Sequence, residues 1–122
     1  METSPEDGLG HLRIVVSPTA YIGPGRADLL QQLQETGSIS AAGRAMGMSY
    51  KRAWSLVQAM NQGFGSVLVL SSRGGAEQGG AELTEDGRFV LERYRAMQHK
   101  ARVAIAEDVG FLHDRFDMSG RK

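Results

Sequence analysis

The order of apolar and polar positions predicts helices separated by short strands and tight turns. A β-branched run over 12–16 ends just before a proline, which indicates a short strand at a sheet edge. Leu29, Leu30 and Leu33 then recur at helical spacing until Gly37 interrupts the pattern. This spacing predicts a first helix that begins after the Gly-Pro-Gly sequence before it.

A short second helix is predicted over 41–46. Ser38 or Ser40 can cap its start, because a serine hydroxyl accepts a hydrogen bond from a backbone N–H that has no helical partner. Gly47 follows directly, where a residue of positive φ is favoured at the end of a helix. We therefore expect a tight turn at Gly47.

A third helix is predicted over 50–62, with Ser49 as its N-terminal cap. Gly63 and Gly65 are expected to end it. Its apolar side is expected to comprise Ala53, Leu56, Val57 and Met60, with Trp54 also in the core. Together, the second and third helices indicate a helix-turn-helix.

A β-hairpin should follow the third helix. The apolar run over 67–70 predicts one strand and 81–83 its partner, and the loop over 71–80 contains four glycines. The predicted fold is therefore mainly α with a small β-hairpin wing, a winged helix-turn-helix.

The last predicted element is a long helix that Thr84 caps and that runs to about residue 108. Its apolar residues repeat at alternating steps of four and three, the spacing of a coiled-coil seam. A stripe of this length exceeds what a small domain must bury against itself, so we expect a homodimer. The predicted dimerisation residues are Val90, Tyr94, Met97, Ala101 and Ala104.

At 122 residues, the chain fits one folded unit that needs no disulfide or metal to form a core. The absence of cysteine excludes disulfides and thiolate zinc sites, and it agrees with a location in the cytoplasm. The sequence shows neither an export signal nor an apolar run long enough for a membrane helix. The expected organisation is a flexible tail over 1–10, a winged helix-turn-helix over 11–83, a long dimerisation helix region over 84–116 and a flexible tail over 117–122.

The formal net charge is zero, but the charges are distributed unevenly. Between Thr36 and Ala76 there is no Asp or Glu, whereas Arg44, Lys51 and Arg52 lie there together with Arg73. An acid-free basic segment favours a polyanionic partner, because Lys and Arg displace the counterions of phosphates. Chance unevenness in an average composition is the alternative.

The basic segment coincides with the predicted helix-turn-helix, whose second helix enters the DNA major groove in proteins of this architecture. Double-stranded DNA is therefore the predicted partner. For the helices, the alternative is a plain helical hairpin with a solvated basic face. For the wing, the alternative is an ordinary surface β-hairpin, because Glu77 in its loop would oppose contact with phosphate. The predicted DNA-binding residues are Ser40, Arg44, Ser49, Tyr50, Lys51, Arg52 and Ser55 on the helices, and Arg73, Gly74 and Gly75 in the wing.

Enzymatic chemistry has little support in the sequence. The three histidines lie far apart and give no metal-ligand spacing, and the glycine loop lacks the Gly-Lys-Ser/Thr of a nucleotide site. We expect no catalytic residue, metal or cofactor, since no nucleophile–base pair is recognisable either. A winged helix that docks a protein instead of DNA is the main alternative, and a small hydrolase or transferase is a weaker one.

The stretch over 37–61, GSISAAGRAMGMSYKRAWSLVQAMN, resembles the N-terminal DNA-binding domain of the ModE family of molybdate-responsive transcriptional regulators. Its most specific part is the Ser-Tyr-Lys-x-Ala-Trp core that begins at Ser49, and the likeness covers roughly 12–106. The resemblance implies a winged helix that dimerises through its long helices, as in the related LysR-type DNA-binding domains.

The chain departs from the ModE pattern in two respects. Leu70 and Ser71 occupy the places where the family commonly has Glu-Arg before the wing, and Ala76 occupies that of a wing lysine. The longer members also carry a C-terminal molybdate-binding portion, whereas this chain ends at Lys122. Because an oxyanion needs a desolvated pocket with several converging donors, we do not expect this chain alone to bind molybdate tightly.

Overall fold

The computed structural model describes residues 8–72 and 80–116, and within them the chain forms four helices and two antiparallel strand pairs. In chain order these are β1 (Ile14–Val15), β2 (Tyr21–Ile22), α1 (Pro24–Thr36), α2 (Ile39–Ala45), α3 (Tyr50–Phe64), β3 (Val69–Ser71), β4 (Ala81–Leu83) and α4 (Glu85–Phe116). The predicted fold class, mainly α with a small hairpin, is confirmed. None of the described helices is long and apolar enough to cross a membrane.

The N-terminal strand is shorter than predicted and has a partner that the sequence analysis missed. β1 pairs with β2, with Ile14 opposite Ile22 and Val15 opposite Tyr21. Ile22 is buried in the core, whereas Val15 is exposed. A two-residue strand enclosed by Pro, Gly and Ser residues gives no periodicity, which explains why β2 was not recognised.

Capping by serine fixes the starts of α2 and α3. The Ser38 hydroxyl accepts the Ala41 N–H at 2.9 Å, so Ser38 rather than Ser40 is the cap of α2. The Ser49 hydroxyl accepts the Arg52 N–H at 3.1 Å, as predicted. α3 continues through Gly63 and ends at Phe64, two residues later than expected, with Gly65 as its C-cap.

The core lies between α1, α3 and the hairpin of β3 and β4. The three leucines of α1 identified from the sequence are all buried, and they form one cluster with the inward side of α3. The buried α3 residues are Ala53, Val57 and Met60. Leu56 is only partly buried and packs at the edge of this cluster. The predicted apolar stripe of α3 is therefore confirmed, whereas Trp54 departs from it, as described below.

α4 begins as predicted and extends further than predicted. The Thr84 hydroxyl accepts the Gly87 N–H at 3.0 Å, which caps the helix, and the helix continues eight residues beyond the expected end. Its 32 residues correspond to a length of about 48 Å. Only the first half contributes buried side chains, and from residue 99 to 116 none is buried.

Tyr94 corrects the predicted dimerisation seam. Its side chain is fully buried within the protomer, and its hydroxyl donates to the Leu12 carbonyl oxygen at 2.6 Å. A residue in this position cannot also face another subunit. The heptad spacing suggested otherwise because a helix that packs on its own core has nearly the same period as a coiled coil.

The predicted tails fall largely outside the described residues, namely over 1–7 and 117–122. Gly8 and Leu9, which the sequence analysis assigned to the N-terminal tail, are described. Leu9 is buried, and Gly8 lies so close to Val109 of α4 that an added Cβ would be 2.9 Å from its side chain.

Candidate nucleic-acid interface

A close crossing of α2 and α3 forms the centre of the predicted site. A Cβ added at Gly43 would be 3.2 Å from the Met48 carbonyl oxygen and 3.3 Å from the Ala53 Cβ. The turn between the helices places Gly47 at a φ of 72°, a conformation that other residues rarely adopt. The small side chains thus allow α2 to cross tightly over the start of α3.

Because α2 and the core cover one side of α3, its opposite side faces solvent. Lys51, Arg52 and Ser55 are all exposed, and with Ser49 they line a shallow concave surface. This side of α3 contains no acidic residue. Four of the five residues predicted for DNA binding at the start of α3 therefore lie together on an accessible face.

Trp54 is exposed, contrary to the prediction that it lies in the core. Its exposed fraction is 43%, and that of Tyr50, one turn before it, is 39%. Successive residues of a helix are 100° apart, so the residue after the buried Ala53 points well away from the core. Tyr50 and Trp54 form an aromatic flank of α3, on the side opposite to Arg52.

The two predicted residues of α2 contact each other. Arg44 Nη1 donates to the Ser40 hydroxyl oxygen at 3.1 Å, one helical turn earlier. Arg44 is exposed, and the hydrogen bond holds its guanidinium against the helix surface. The hydroxyls of Ser40 and of Ser49 both accept a hydrogen bond within the protein, and each retains its own hydrogen for donation to a ligand.

No carboxylate of the described residues neutralises the exposed cations of this surface. Over residues 8–72 and 80–116, neither Arg44, Lys51 nor Arg52 lies within ion-pair distance of an Asp or Glu, whereas Arg95 on α4 pairs with Asp28 at 2.9 Å. Unpaired positive charges on one face are the electrostatic pattern of a polyanion-binding surface.

Hydrogen bonds between Ser72 and Gly80 connect the two ends of the wing loop. The Ser72 N–H donates to the Gly80 carbonyl oxygen at 2.9 Å, and the Gly80 N–H donates to the Ser72 hydroxyl at 2.8 Å. The predicted wing contacts, Arg73, Gly74 and Gly75, lie outside the described residues and stay predictions.

The sequence analysis missed a second basic group beside α3. His11, Arg13, Tyr21 and Arg26 line a cavity of about 250 Å³, which Arg52 of α3 also lines. The pairing of β1 with β2 brings Arg13 diagonally next to Tyr21, a contact that depends on a register no sequence pattern indicated.

The described residues contain no group of three or more His, Asp or Glu side chains that could hold a metal ion. The side chains that the described interface presents are cations, hydroxyls and aromatic rings.

Comparison with known proteins identifies the architecture. The profile of the bacterial regulatory helix-turn-helix proteins of the lysR family matches residues 26–88, which span α1 to the start of α4. The chain belongs to this family. The lysR-family helix-turn-helix thus comprises the α2–α3 crossing described above, and the membership agrees with the expectation of a regulator rather than an enzyme.

The lysR-family chain is also similar to a molybdenum-pterin-binding protein and to a transcriptional regulator. It is 42% identical over 94 residues to the molybdenum-pterin-binding protein MopB of Rhodobacter capsulatus, covering 76% of this chain and 35% of MopB. It is 35% identical over 100 residues to the transcriptional regulator ModE of Yersinia pestis, covering 80% of this chain and 38% of ModE. The resemblance to ModE regulators is confirmed, and the chain spans little more than a third of these relatives.

Solved structures of the lysR family share the fold. The full-length regulator LysG of Corynebacterium glutamicum, with bound effector Arg, aligns with a TM-score of 0.56 at 25% identity, over 76% of this chain and 30% of LysG. A second LysR family transcriptional regulator aligns with a TM-score of 0.51 at 20% identity, over 68% of this chain and 27% of its own. The predicted winged helix-turn-helix is confirmed.

Proposed function

We propose that this lysR-family chain is a sequence-specific DNA-binding transcriptional regulator that acts in the cytoplasm and reads the major groove with the first turns of α3. The observation that carries the proposal is the exposed face of Ser49, Lys51, Arg52 and Ser55, which is free of acidic residues and follows the α2–α3 turn directly. In a helix-turn-helix, this is the face that meets base edges.

Each group has a role that follows from its chemistry. Arg52 and Lys51 present donors that match the N7 and O6 acceptors of guanine, and the hydroxyls of Ser49, Tyr50 and Ser55 can bond to bases or phosphates. Ser40 and Arg44 lie on α2, which crosses the DNA backbone in this architecture, so they are assigned to phosphates. Contacts of the wing residues 73–75 complete the proposed interface.

The second half of α4 supports a homodimer. No side chain of the described residues 99–116 is fully buried in the protomer, and Val103, Phe111, Leu112 and Phe116 are exposed there. Helices in proteins owe most of their stability to packing of an apolar face, so this segment needs a partner. Of the predicted seam, Val90, Met97, Ala101 and Ala104 remain in the proposal and Tyr94 does not.

We connect the chain with molybdenum metabolism through its relatives, without assigning molybdate binding to it. The polar cleft between α1 and α4 contains Arg95 and Arg102, but Asp28 and Glu35 also line it. Carboxylates oppose an oxyanion, which needs converging donors. Calorimetry with molybdate tests this assignment, and tight binding that also changes the affinity for DNA would contradict it.

The experiment that tests the function is selection of bound duplexes from a random pool, followed by binding measurements on the selected site. Substitution of Arg52 by Ala should weaken binding to that site by about 1–3 kcal/mol and relax the preference at one base pair. Arg93→Ala, at an exposed position of α4 that precedes the proposed dimer segment, is the matched control. Failure of the wild-type protein to enrich any sequence would contradict the proposal.

A salt titration separates DNA reading from the alternative of a protein-docking winged helix. A protein that neutralises several phosphates loses affinity steeply as salt rises, with a slope of about −0.9 per phosphate in a plot of log affinity against log salt concentration.

Footprints on two half-sites about one helical turn apart, or a multiple of it, would support the homodimer. Protection of one unpaired half-site would contradict it.

A further inference from the structure

Two arginines, Arg13 and Arg26, stack on the ring of Tyr21, which precedes α1 in the sequence. The guanidinium carbons of Arg13 and Arg26 each lie 3.8 Å from the centre of the Tyr21 ring. Two guanidinium groups do not fit side by side over one face of a six-membered ring, so they enclose it from both sides. Arg26 is also 3.5 Å from the Tyr21 carbonyl oxygen, to which it donates.

The stacking on Tyr21 holds two positive charges, the guanidinium groups of Arg13 and Arg26, close together. Among the described residues, neither Arg13 nor Arg26 lies within ion-pair distance of a carboxylate, and no Asp or Glu lines the cavity beside them. The nearby start of α1 has no side-chain cap and no acidic residue in its first turn, so its free N–H groups add positive potential. The described charged side chains that line the cavity are thus all positive.

The basic cavity is continuous with the surface proposed to read DNA. Arg52 and Leu56 of α3 line both this cavity and the concave face that contains Lys51. A duplex with its major groove on that face would bring its backbone past the flank of α3 on which Arg52 lies. Arg13 and Arg26 are then the next cations along the surface.

We propose that the cavity lined by His11, Arg13, Tyr21 and Arg26 is a second DNA contact, which binds phosphodiester groups of the duplex whose major groove α3 reads. The inference rests on the proposed function and extends it to the N-terminal strand pair. The ring separates the two guanidinium groups, which suits two phosphates of a strand better than one small oxyanion. Tyr21 is a positioning residue that fixes both arginines before DNA arrives.

The test compares the wild-type protein with Arg13→Gln, Arg26→Gln and the double variant on the selected duplex and on a mixed-sequence duplex, over a range of KCl concentrations. Each single substitution should reduce the magnitude of the salt slope by about 0.9, and the double variant by about twice that. The preference for the selected duplex should stay unchanged, because phosphate contacts carry no sequence information. Arg93→Gln, an equal loss of charge at an exposed position of α4 that precedes the segment 99–116, should leave the slope at the wild-type value.

Variants of Tyr21 test the positioning role. Tyr21→Phe keeps the ring and should bind like the wild type. Tyr21→Leu removes the ring but neither charge, so the salt slope should stay near the wild-type value while affinity falls several-fold. Arg13→Lys, which keeps the charge, should retain the slope. Equal affinity of Tyr21→Leu and Tyr21→Phe would overturn the positioning role.

Three results separate the possible failures. Wild-type slope and affinity in the double variant, confirmed as folded by its thermal melt, would overturn the second contact. Saturable binding of inorganic phosphate without DNA, lost in the double variant while its DNA slope is unchanged, would identify a small-anion site and overturn it as well. A wild-type protein whose binding to duplexes is insensitive to salt would instead overturn the proposed function.

Discussion

The side chain of Asn61 pairs with the backbone of Val69 in both directions. Its Oδ1 accepts the Val69 N–H at 3.1 Å, and its Nδ2 donates to the Val69 carbonyl oxygen at 3.2 Å. The same Oδ1 accepts the Leu68 N–H at 2.8 Å. A residue of α3 therefore takes the place of a neighbouring strand for the start of β3, and it joins the wing to the helix proposed to read DNA.

Replacing Asn61 by Ala should lower the free energy of unfolding by about 1–3 kcal/mol, because the partly buried backbone groups of Leu68 and Val69 would lose their partners. Urea denaturation measures the change. Gln62→Ala, at an exposed position of the same helix, should change it by less than about 0.5 kcal/mol. Similar values for the two variants would show that the Asn61 hydrogen bonds contribute nothing.

Two glycines of α4 should respond to alanine in opposite directions. At Gly87, an added Cβ would overlap the carbonyl oxygen of Leu68, whereas at Gly110 nothing described lies within 4 Å of it. Gly87→Ala should destabilise the protein by about 1–3 kcal/mol. Gly110→Ala should stabilise it by up to about 1 kcal/mol, since alanine favours a helix interior. Thermal melts of both variants check the difference, and the same sign for both would contradict it.

Tyr94 should make stability depend on pH in the alkaline range. Burial raises the pKa of Tyr94 above its ordinary value of 10.0, and the Arg95 guanidinium opposes part of this rise. The folded state therefore holds the phenolic proton more tightly than the unfolded state does. The contribution of the protonated Tyr94 side chain to the free energy of unfolding is therefore fully present below pH 10, and it is lost as the pH rises through the raised pKa.

Tyr94→Phe isolates this contribution. The variant should be about 1–3 kcal/mol less stable than the wild type at pH 7, because the Leu12 carbonyl oxygen loses its donor. Above pH 10 the difference should shrink, since Phe cannot ionise. Urea denaturation between pH 7 and 11 measures both quantities, and a difference that grows with pH would contradict the expected direction.

Charge on the exposed end of α4 should separate the proposed dimer. Leu112→Glu combined with Phe111→Glu places two carboxylates on the apolar segment after residue 99, which should give a monomer in analytical ultracentrifugation. Val16→Glu, equally exposed but on the N-terminal strand pair, should leave the dimer intact. A dimer that persists in the double variant would show that this segment is not the interface.

Local chemistry made the helix-turn-helix predictable. A serine hydroxyl satisfies a backbone donor wherever a helix starts, and glycine tolerates positive φ, so Ser49 and Gly47 indicate the turn without reference to the rest of the chain. Thr84 identified the start of α4 in the same way.

Features that depend on distant contacts were not predictable. Tyr94 fits a dimer seam and a protomer core equally well by spacing, and only the approach of Leu12 decides between them. Trp54 was assigned to the core by its chemical type, although its place beside Ala53 turned it outward. The stacking on Tyr21 required the register of two very short strands.

The crossing at Gly43 separates two sets of positions on α3 that can change independently during evolution. A side chain at Gly43 would press on Met48 and Ala53, so packing constrains that position. The side chains of Lys51, Arg52 and Ser55 are exposed on the outer face of the helix. Substitution on the outer face should therefore change the operator preference of the proposed regulator while the scaffold beneath remains unaltered.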